Sequence, residues 1–219
     1  MHPNQREFIR RDTARILFET GAVLFRPDEP FTFSSGIKSP IYCNNRKVMG
    51  YPALSDHIDA YFAQCVRDLG QPYDTIVGVA TAGISWGRVL AKELHLPFAY
   101  VRDPKSHGTK QTVEGDLQPG QQALVIEDHI STGESSVAAV EKVRAAGGIV
   151  EQCLAITTYQ WAEADRRFTD AGCALSTLTD FSTLVHVAVE RRYISPDQER
   201  LVRNWQKNPT EWTHSAGTP

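Results

Sequence analysis

An α/β fold with a parallel sheet covered by helices on both faces is predicted by three features of the sequence. Short apolar runs, Thr75-Ile76-Val77-Gly78-Val79-Ala80, Phe98-Ala99-Tyr100-Val101, Leu124-Val125-Ile126 and the stretch from Ile149 to Thr157, are separated by segments of helical periodicity or by loops. These runs read as strands buried on both faces, the pattern of a parallel sheet under two helix layers. Polar, glycine-bearing segments follow three of the strands: Thr81-Ala82-Gly83, residues 102–115 and residues 127–135. In a sheet of this kind they lie at carboxyl ends of strands, where ligands bind. A chain of 219 residues with 41% hydrophobic content buries one sizeable core, so a single domain over 1–208 with a polar tail at 209–219 is expected.

The elements follow in order. Phe8, Ile9, Ile16, Leu17 and Phe18 have partly helical spacing, which predicts an amphipathic helix from about Asn4 to Thr20. Ala22-Val23-Leu24-Phe25 is strand-like and is stopped by Arg26-Pro27-Asp28-Glu29-Pro30. Phe31-Thr32-Phe33 and Ile41-Tyr42-Cys43 read as two short strands flanking residues 34–40, a hairpin-like flap within a small hood at about 22–45. Pro52 suits a first helical turn, and Leu54, Ile58, Tyr61, Phe62, Cys65 and Leu69 mark one apolar face down to Gly70. Helices are predicted from about Ile84 to Leu94 and from near Ser136, the latter opened by a turn after the strand ending at Ile126. A helical section lies between Tyr159 and Ala171, then a strand at Leu175 to Leu178 and a helix at Phe181 to Arg192. Ser195-Pro196-Asp197-Gln198 is a capping box that starts a last helix carrying Leu201, Val202 and Trp205.

Composition narrows the function. A net charge of −3 without a basic block argues against non-specific nucleic-acid binding. No apolar run is long enough to span a bilayer, and Met1-His2-Pro3-Asn4-Gln5-Arg6 lacks a signal-peptide apolar region, so a soluble, cytoplasmic protein without membrane partners is expected. Cys43, Cys65, Cys153 and Cys173 are scattered, with no Cys-x-x-Cys pair, and read as reduced thiols.

The chemistry concentrates at Leu124-Val125-Ile126-Glu127-Asp128-His129-Ile130-Ser131-Thr132-Gly133-Glu134-Ser135-Ser136. Backbone amides at a helix N-terminus, beside the hydroxyls of Ser131, Thr132 and Ser135, supply convergent donors for a phosphate monoester. Glu127 and Asp128 would repel that phosphate, so they must face sugar hydroxyls or a divalent cation. Neither the Gly-Lys-Ser/Thr ending of a Walker loop nor the Gly-x-Gly-x-x-Gly of a dinucleotide fold is present. The segment from Arg102 to Gly115 is polar and long for an α/β connection, and its cations Arg102, Lys105 and His107 suit a lid that closes over an anion.

Two acidic residues after a hydrophobic strand, followed by Thr132-Gly133-Glu134-Ser135, resemble the 5-phosphoribosyl-1-diphosphate (PRPP) motif of type I phosphoribosyltransferases. From about Ile16 to Ile194 the chain is similar to the orotate phosphoribosyltransferases. Phe31-Thr32-Phe33-Ser34-Ser35-Gly36-Ile37-Lys38-Ser39-Pro40-Ile41-Tyr42-Cys43 matches their N-terminal flap, Ala80-Thr81-Ala82-Gly83-Ile84 their pyrophosphate-side loop, and Tyr100-Val101-Arg102, Pro104-Lys105 and His107-Gly108 their mobile catalytic loop. The resemblance implies a type I phosphoribosyltransferase fold whose hood is built from N-terminal and C-terminal-half segments, with a catalytic loop at about 102–119 and a PRPP loop at 127–135. It also implies transfer of phosphoribosyl from PRPP to orotate in pyrimidine synthesis, with magnesium reached through PRPP and no direct protein ligand assigned, in a homodimer whose loop is shared across the interface.

Carried over by position, Arg102, Lys105, His107 and Asp128 would be catalytic. PRPP would be held by Arg102, Lys105 and His107, by Thr81, Ala82 and Gly83, and by Glu127, Asp128, His129, Ile130, Ser131, Thr132, Gly133, Glu134 and Ser135. Orotate would meet Ser131, Ser35, Lys38 and Tyr42. The chain departs from the family pattern in three places. Only Asp103 stands between Arg102 and Pro104, where a further lysine is usual. Thr109 and Lys110 partly replace glycines, and His129 and Glu134 occupy positions where small or apolar residues are usual, so the Glu134 carboxylate is expected to point outward. Two alternatives stand beside this reading. A purine-base phosphoribosyltransferase fits the flap less well, and a non-catalytic PRPP-sensing regulator would need a DNA-binding helix-turn-helix or basic face.

Overall fold

The computed structural model describes residues 2–33, 36–103 and 111–212. Helix α1 (Pro3–Glu19) leads into the short strands β1 (Val23–Phe25), β2 (Phe31–Thr32), β3 (Lys38–Ser39) and β4 (Ile41–Cys43), then a 3-10 helix (Asn45–Gly50) and α2 (Pro52–Leu69). The alternating part follows as β5 (Thr75–Val79), α3 (Ala82–Leu94), β6 (Phe98–Val101), β7 (Val113–Glu114), β8 (Gln122–Ile130), α4 (Glu134–Ala145), β9 (Ile149–Thr158), α5 (Ala162–Asp170) and β10 (Ala174–Thr177). Helices α6 (Phe181–Glu190) and α7 (Pro196–Lys207) complete the described elements.

Six strands form one sheet in the order β10-β9-β8-β5-β6-β7, parallel except for β7. Successive strand residues face opposite sides. Ile76, Leu124, Ile126 and Leu154 join a core with α1, α2, α3, α6 and α7, whereas Val77, Val125 and Cys153 join a second core with α4 and α5. Both faces are therefore covered, which is why the strand runs are apolar throughout. Strand order reverses between β5 and β8, since β6 lies on one side of that pair and β9 and β10 on the other. The carboxyl ends of β5 and β8 are consequently the switch point where such a sheet opens a crevice.

Four local expectations change. The strand before the acidic pair continues to Ile130, so Glu127 and Asp128 lie within β8, because β9 keeps pairing with it through His129↔Thr157 and Ile130↔Thr158. Helix α4 correspondingly opens at Glu134, two residues before Ser136, after Gly133 in a left-handed conformation (φ 77°). The flap is two nested ladders: β2 pairs with β3, whereas β4 pairs with β1. Gly36 supplies the tight reversal (φ 84°, N–H to Phe33 O at 2.8 Å), and Pro40, which has no N–H, separates β3 from β4. The segment after Arg102 returns as β7, antiparallel to β6, so the 102–119 loop has an ordered strand in its return leg.

Helix α7 braces the hood. Its capping box is formed, and the fully buried Trp205 donates from Nε1 to Lys38 O at 3.0 Å. Gln206 Nε2 donates to Tyr159 O and Gln160 O, tying the same helix to the chain leaving β9. All four cysteines are free. No helix among the described residues is long and apolar enough to cross a membrane.

Candidate active site

β8 and β9 project beyond β5. The last registered pair between β5 and β8 is Gly78↔Ile126, while β8 and β9 remain paired to Ile130↔Thr158. The chain leaving β5 turns at Thr81-Ala82-Gly83 into α3, and the Ala80–Thr81 peptide is cis. A Cβ at Gly83 would overlap the carbonyl oxygen of Ile126, and one at Gly78 would stand 2.6 Å from Gly83 O. The glycine at 83 thus lets the loop lie against β8 at the root of Glu127, bringing two of the sequence-predicted segments together.

Glu127 is only 7% exposed. Its Oε1 accepts the Asp128 N–H at 2.9 Å, and Ser136 Oγ on α4 reaches Oε2 at 3.5 Å. Burial, with the neighbouring Asp128 charge, pushes the Glu127 carboxyl well above the usual range. Asp128 is also raised by burial, opposed by its hydrogen bond with Glu127 and by the charge of Arg46. Two carboxyls whose negative charge is disfavoured by burial, beside the switch point of the sheet, suit hydrogen bonds from a vicinal diol or a place in a cation's shell. Among the described residues no group of three or more His, Cys, Asp or Glu could hold a metal ion. The acidic pair offers two carboxylates, a set that an octahedral Mg2+ accepts together with substrate phosphate oxygens and water.

The turn Ser131 to Ser135 leads into α4, whose N-cap Gly133 provides no side-chain cap. The one local donor contact is long, Glu134 N to Thr132 Oγ1 at 3.5 Å, so the first-turn amides keep their capacity for an anion. Glu134 is exposed, with Arg167 4.0 Å away, and so points outward as its place beside an anion site requires.

Arg102 is engaged elsewhere. Its guanidinium holds Glu114 Oε1 from Nε at 2.9 Å and from a terminal nitrogen at 2.5 Å, and it also donates to Asp103 O. Asp103 in turn pairs with Lys142 on α4 at 2.9 Å. Lys105 and His107, and Ser35 of the flap, lie outside the described residues. Lys38 is exposed on β3, and the half-exposed Tyr42 packs against Phe31 at 5.4 Å between ring centroids.

Asn45, Thr157 and Tyr159, which the motifs do not include, organise this site together with His129. Asn45, fully buried, donates from Nδ2 to Asp128 O at 2.7 Å and to Thr157 Oγ1 at 2.9 Å. His129 Nδ1 lies 2.7 Å from the same Thr157 oxygen, and its ring meets Tyr159 edge to face at 4.2 Å. Burial lowers the His129 pKa to about 4, so the ring is neutral at physiological pH. Tyr159 lies beside Cys43 and Tyr42 of the flap, and burial drives its phenol far upward and the Cys43 thiol to about 12. The signal in the sequence was the polar run Asn44-Asn45-Arg46-Lys47 directly after a flap strand, unusual next to a core.

Residues 49–173 match the phosphoribosyl transferase domain, and this match, on a doubly covered sheet with an acidic switch point, sets the class of the protein as a phosphoribosyltransferase. Orotate phosphoribosyltransferases of Lactococcus lactis and Streptococcus pneumoniae are 41% and 40% identical to it over 205 residues, which is 93% of this chain and 98% of each relative. The crystal structure of orotate phosphoribosyltransferase from Aeropyrum pernix superposes with a TM-score of 0.72 at 27% identity, covering 83% of this chain and 99% of that one. The chain belongs to the orotate phosphoribosyltransferase family.

Proposed function

We propose that this chain transfers the 5-phosphoribosyl group of PRPP to orotate, releasing pyrophosphate and forming orotidine 5′-monophosphate in de novo pyrimidine synthesis. The observation that carries the reading is the acidic pair on the projecting part of β8, separated by one short turn from a helix N-terminus without a side-chain cap. In that arrangement Glu127 and Asp128 meet the ribose hydroxyls and the amides from Ser131 to Ser135 hold the 5′-phosphate. Pyrophosphate lies toward Thr81-Ala82-Gly83, and orotate lies between Ser131 and the flap residues Ser35, Lys38 and Tyr42. The orotate nitrogen attacks the anomeric carbon as the bond to pyrophosphate breaks, so no protein nucleophile is needed.

Positive charge grows on the ribose and negative charge on pyrophosphate, and preorganised groups stabilise both. Asp128 serves the first. Lys105, His107 and Arg102 serve the second, Arg102 by exchanging Glu114 for a phosphate oxygen. Magnesium, carried in with PRPP, would supply further charge neutralisation of the leaving group. The working form is a cytoplasmic homodimer in which the 102–119 loop of one subunit reaches its partner's site, and residues 1–208 act as one domain.

The test is purified protein with PRPP and Mg2+, offered orotate, uracil, adenine and hypoxanthine in turn. Orotidine 5′-monophosphate from orotate alone is the expected result. A purine nucleotide would shift the substrate class, and PRPP binding without any nucleotide formed would mark a sensor and overturn the catalytic reading.

A further inference from the structure

Asn45 bears two amide hydrogens, and both have acceptors: Asp128 O at 2.7 Å and Thr157 Oγ1 at 2.9 Å. Exchanging the amide nitrogen and oxygen would set Asn45 Oδ1 against the Asp128 carbonyl oxygen, so the orientation of the side chain is determined. Thr157 Oγ1 therefore accepts from Asn45. Thr157 is fully buried, and its own hydroxyl hydrogen has one acceptor among the described residues, His129 Nδ1 at 2.7 Å. If Nδ1 were protonated instead, Oγ1 would receive two donors and its hydrogen would be left unmatched inside the protein, a costly arrangement. The proton of His129 consequently sits on Nε2. That nitrogen is sealed from solvent without a polar partner, beside the ring of Tyr159, whose plane stands at 76° to the imidazole. With the proton there, Nε2 is the one unmatched group, whereas the reverse tautomer would leave both the Thr157 hydroxyl hydrogen and a bare Nε2 without partners among the described residues.

We propose that Thr157 and His129 are positioning residues for Asp128, the inner end of a hydrogen-bond chain of fixed direction that runs from Asn45 through Thr157 to a neutral, Nε2-protonated His129. Each link joins a different element. His129 and Thr157 are a registered pair on β8 and β9, beyond the point where β5 has left the sheet. Asn45 opens the 3-10 helix that follows the flap, so its grip on the Asp128 carbonyl fixes the acidic residue from the hood side while Thr157 fixes Asn45 from the sheet side. The Asp128 main chain is thereby held where the strand has no β5 neighbour to hold it. The imidazole is the acceptor that orients the hydroxyl on which Asn45 depends.

The kinetic part of this inference rests on the proposed orotate reaction, whereas the tautomer does not. In free protein, long-range 1H–15N correlation of the imidazoles, with His129 assigned as the signal lost in His129→Gln, is expected to show a protonated Nε2 and a bare Nδ1. The reverse tautomer, or a charged ring at neutral pH, overturns the proposal. Thr157→Val keeps the shape and removes the hydroxyl. It is expected to lower kcat/KM for PRPP about ten- to a hundredfold, as a small displacement of a reacting group does, with KM for orotate unchanged. Thr157→Ser, which returns the hydroxyl, restores the rate. Full PRPP efficiency in Thr157→Val overturns the positioning role. A wild-type protein that forms no orotidine 5′-monophosphate counts against the reaction, and the tautomer then decides this inference alone.

Discussion

Glu127 holds a buried carboxyl against an adjacent acid, and its pKa is raised by burial first and by the Asp128 charge second. The consequence for stability has a definite sign. Below the ordinary glutamate value of 4.5 the group is protonated in folded and unfolded chains alike, and no penalty exists. As pH rises above that value the unfolded chain loses its proton first, the folded chain binds more protons, and stability falls until the folded group also ionises. Glu127→Gln keeps an oxygen to accept the Asp128 N–H and removes the charge. It is expected to be more stable than the parent at pH 8 by roughly 0.5–2 kcal/mol, the common gain when a functional site is relaxed, while losing PRPP turnover. Calorimetric melting at pH 8 and pH 4 checks this, the gap closing at the lower pH. The reading at pH 8 is clear of His129, whose lowered pKa of about 4 affects stability only between its folded and unfolded values, in the opposite direction. A Glu127→Gln protein that melts below the parent at pH 8 would mean that the carboxylate is better compensated than its surroundings indicate.

Whole elements aim these groups, and two contacts between elements carry separable predictions. Trp205 on α7 donates to Lys38 O on β3, the strand that also presents the Lys38 side chain. Trp205→Phe leaves that carbonyl without its donor at a cost of about 0.5–1.5 kcal/mol, and steady-state kinetics should show a raised KM for orotate with KM for PRPP unmoved. At the other side of the crevice, Gly83→Ala would drive a methyl group into the backbone of Ile126. Neither neighbour is a flexible side-chain tip, so the loop and β8 must separate, costing about 1–3 kcal/mol and about a hundredfold in kcat/KM for PRPP. A fully active Gly83→Ala enzyme would detach the 81–83 loop from the site. The sheet strands and the acidic pair were legible beforehand because apolar runs and adjacent carboxylates are local signals. The flap pairing was not, since ladders of two or three residues carry too little alternation to choose a partner, and the nested arrangement depends on Gly36 and Pro40 together. Nor was the reach of β8 through Glu-Asp-His visible: such residues are poor strand formers, and the extension is imposed by β9. Asn45 could not be assigned a partner because its contacts lie 83 and 112 residues away along the chain.

Over the whole molecule, hood and sheet share one core. Ala22, Val23, Ile41 and Val48 pack in the same cluster as Leu124, Ile126, Leu154 and the fully buried Trp205. On either side of the expected catalytic loop, Arg102 is tied to Glu114 and Asp103 to Lys142. If that loop acts across the dimer, two defective proteins repair one another. Lys105→Ala should lose about a hundred- to a thousandfold in kcat, the effect of removing one preorganised donor from a transition state. Asp128→Asn should be impaired in PRPP handling from within its own subunit. Unfolded together and refolded as an equal mixture, half of the dimers are mixed. In each of these, the site with an intact Asp128 receives the intact Lys105 of its partner, and the other site carries both defects. About a quarter of parental activity is therefore expected from sharing in a twofold-symmetric dimer, against almost none if each loop closes on its own subunit. Activity that stays at the level of the separate variants, with mixed dimers demonstrated by native mass spectrometry, would confine each catalytic loop to the subunit that carries it.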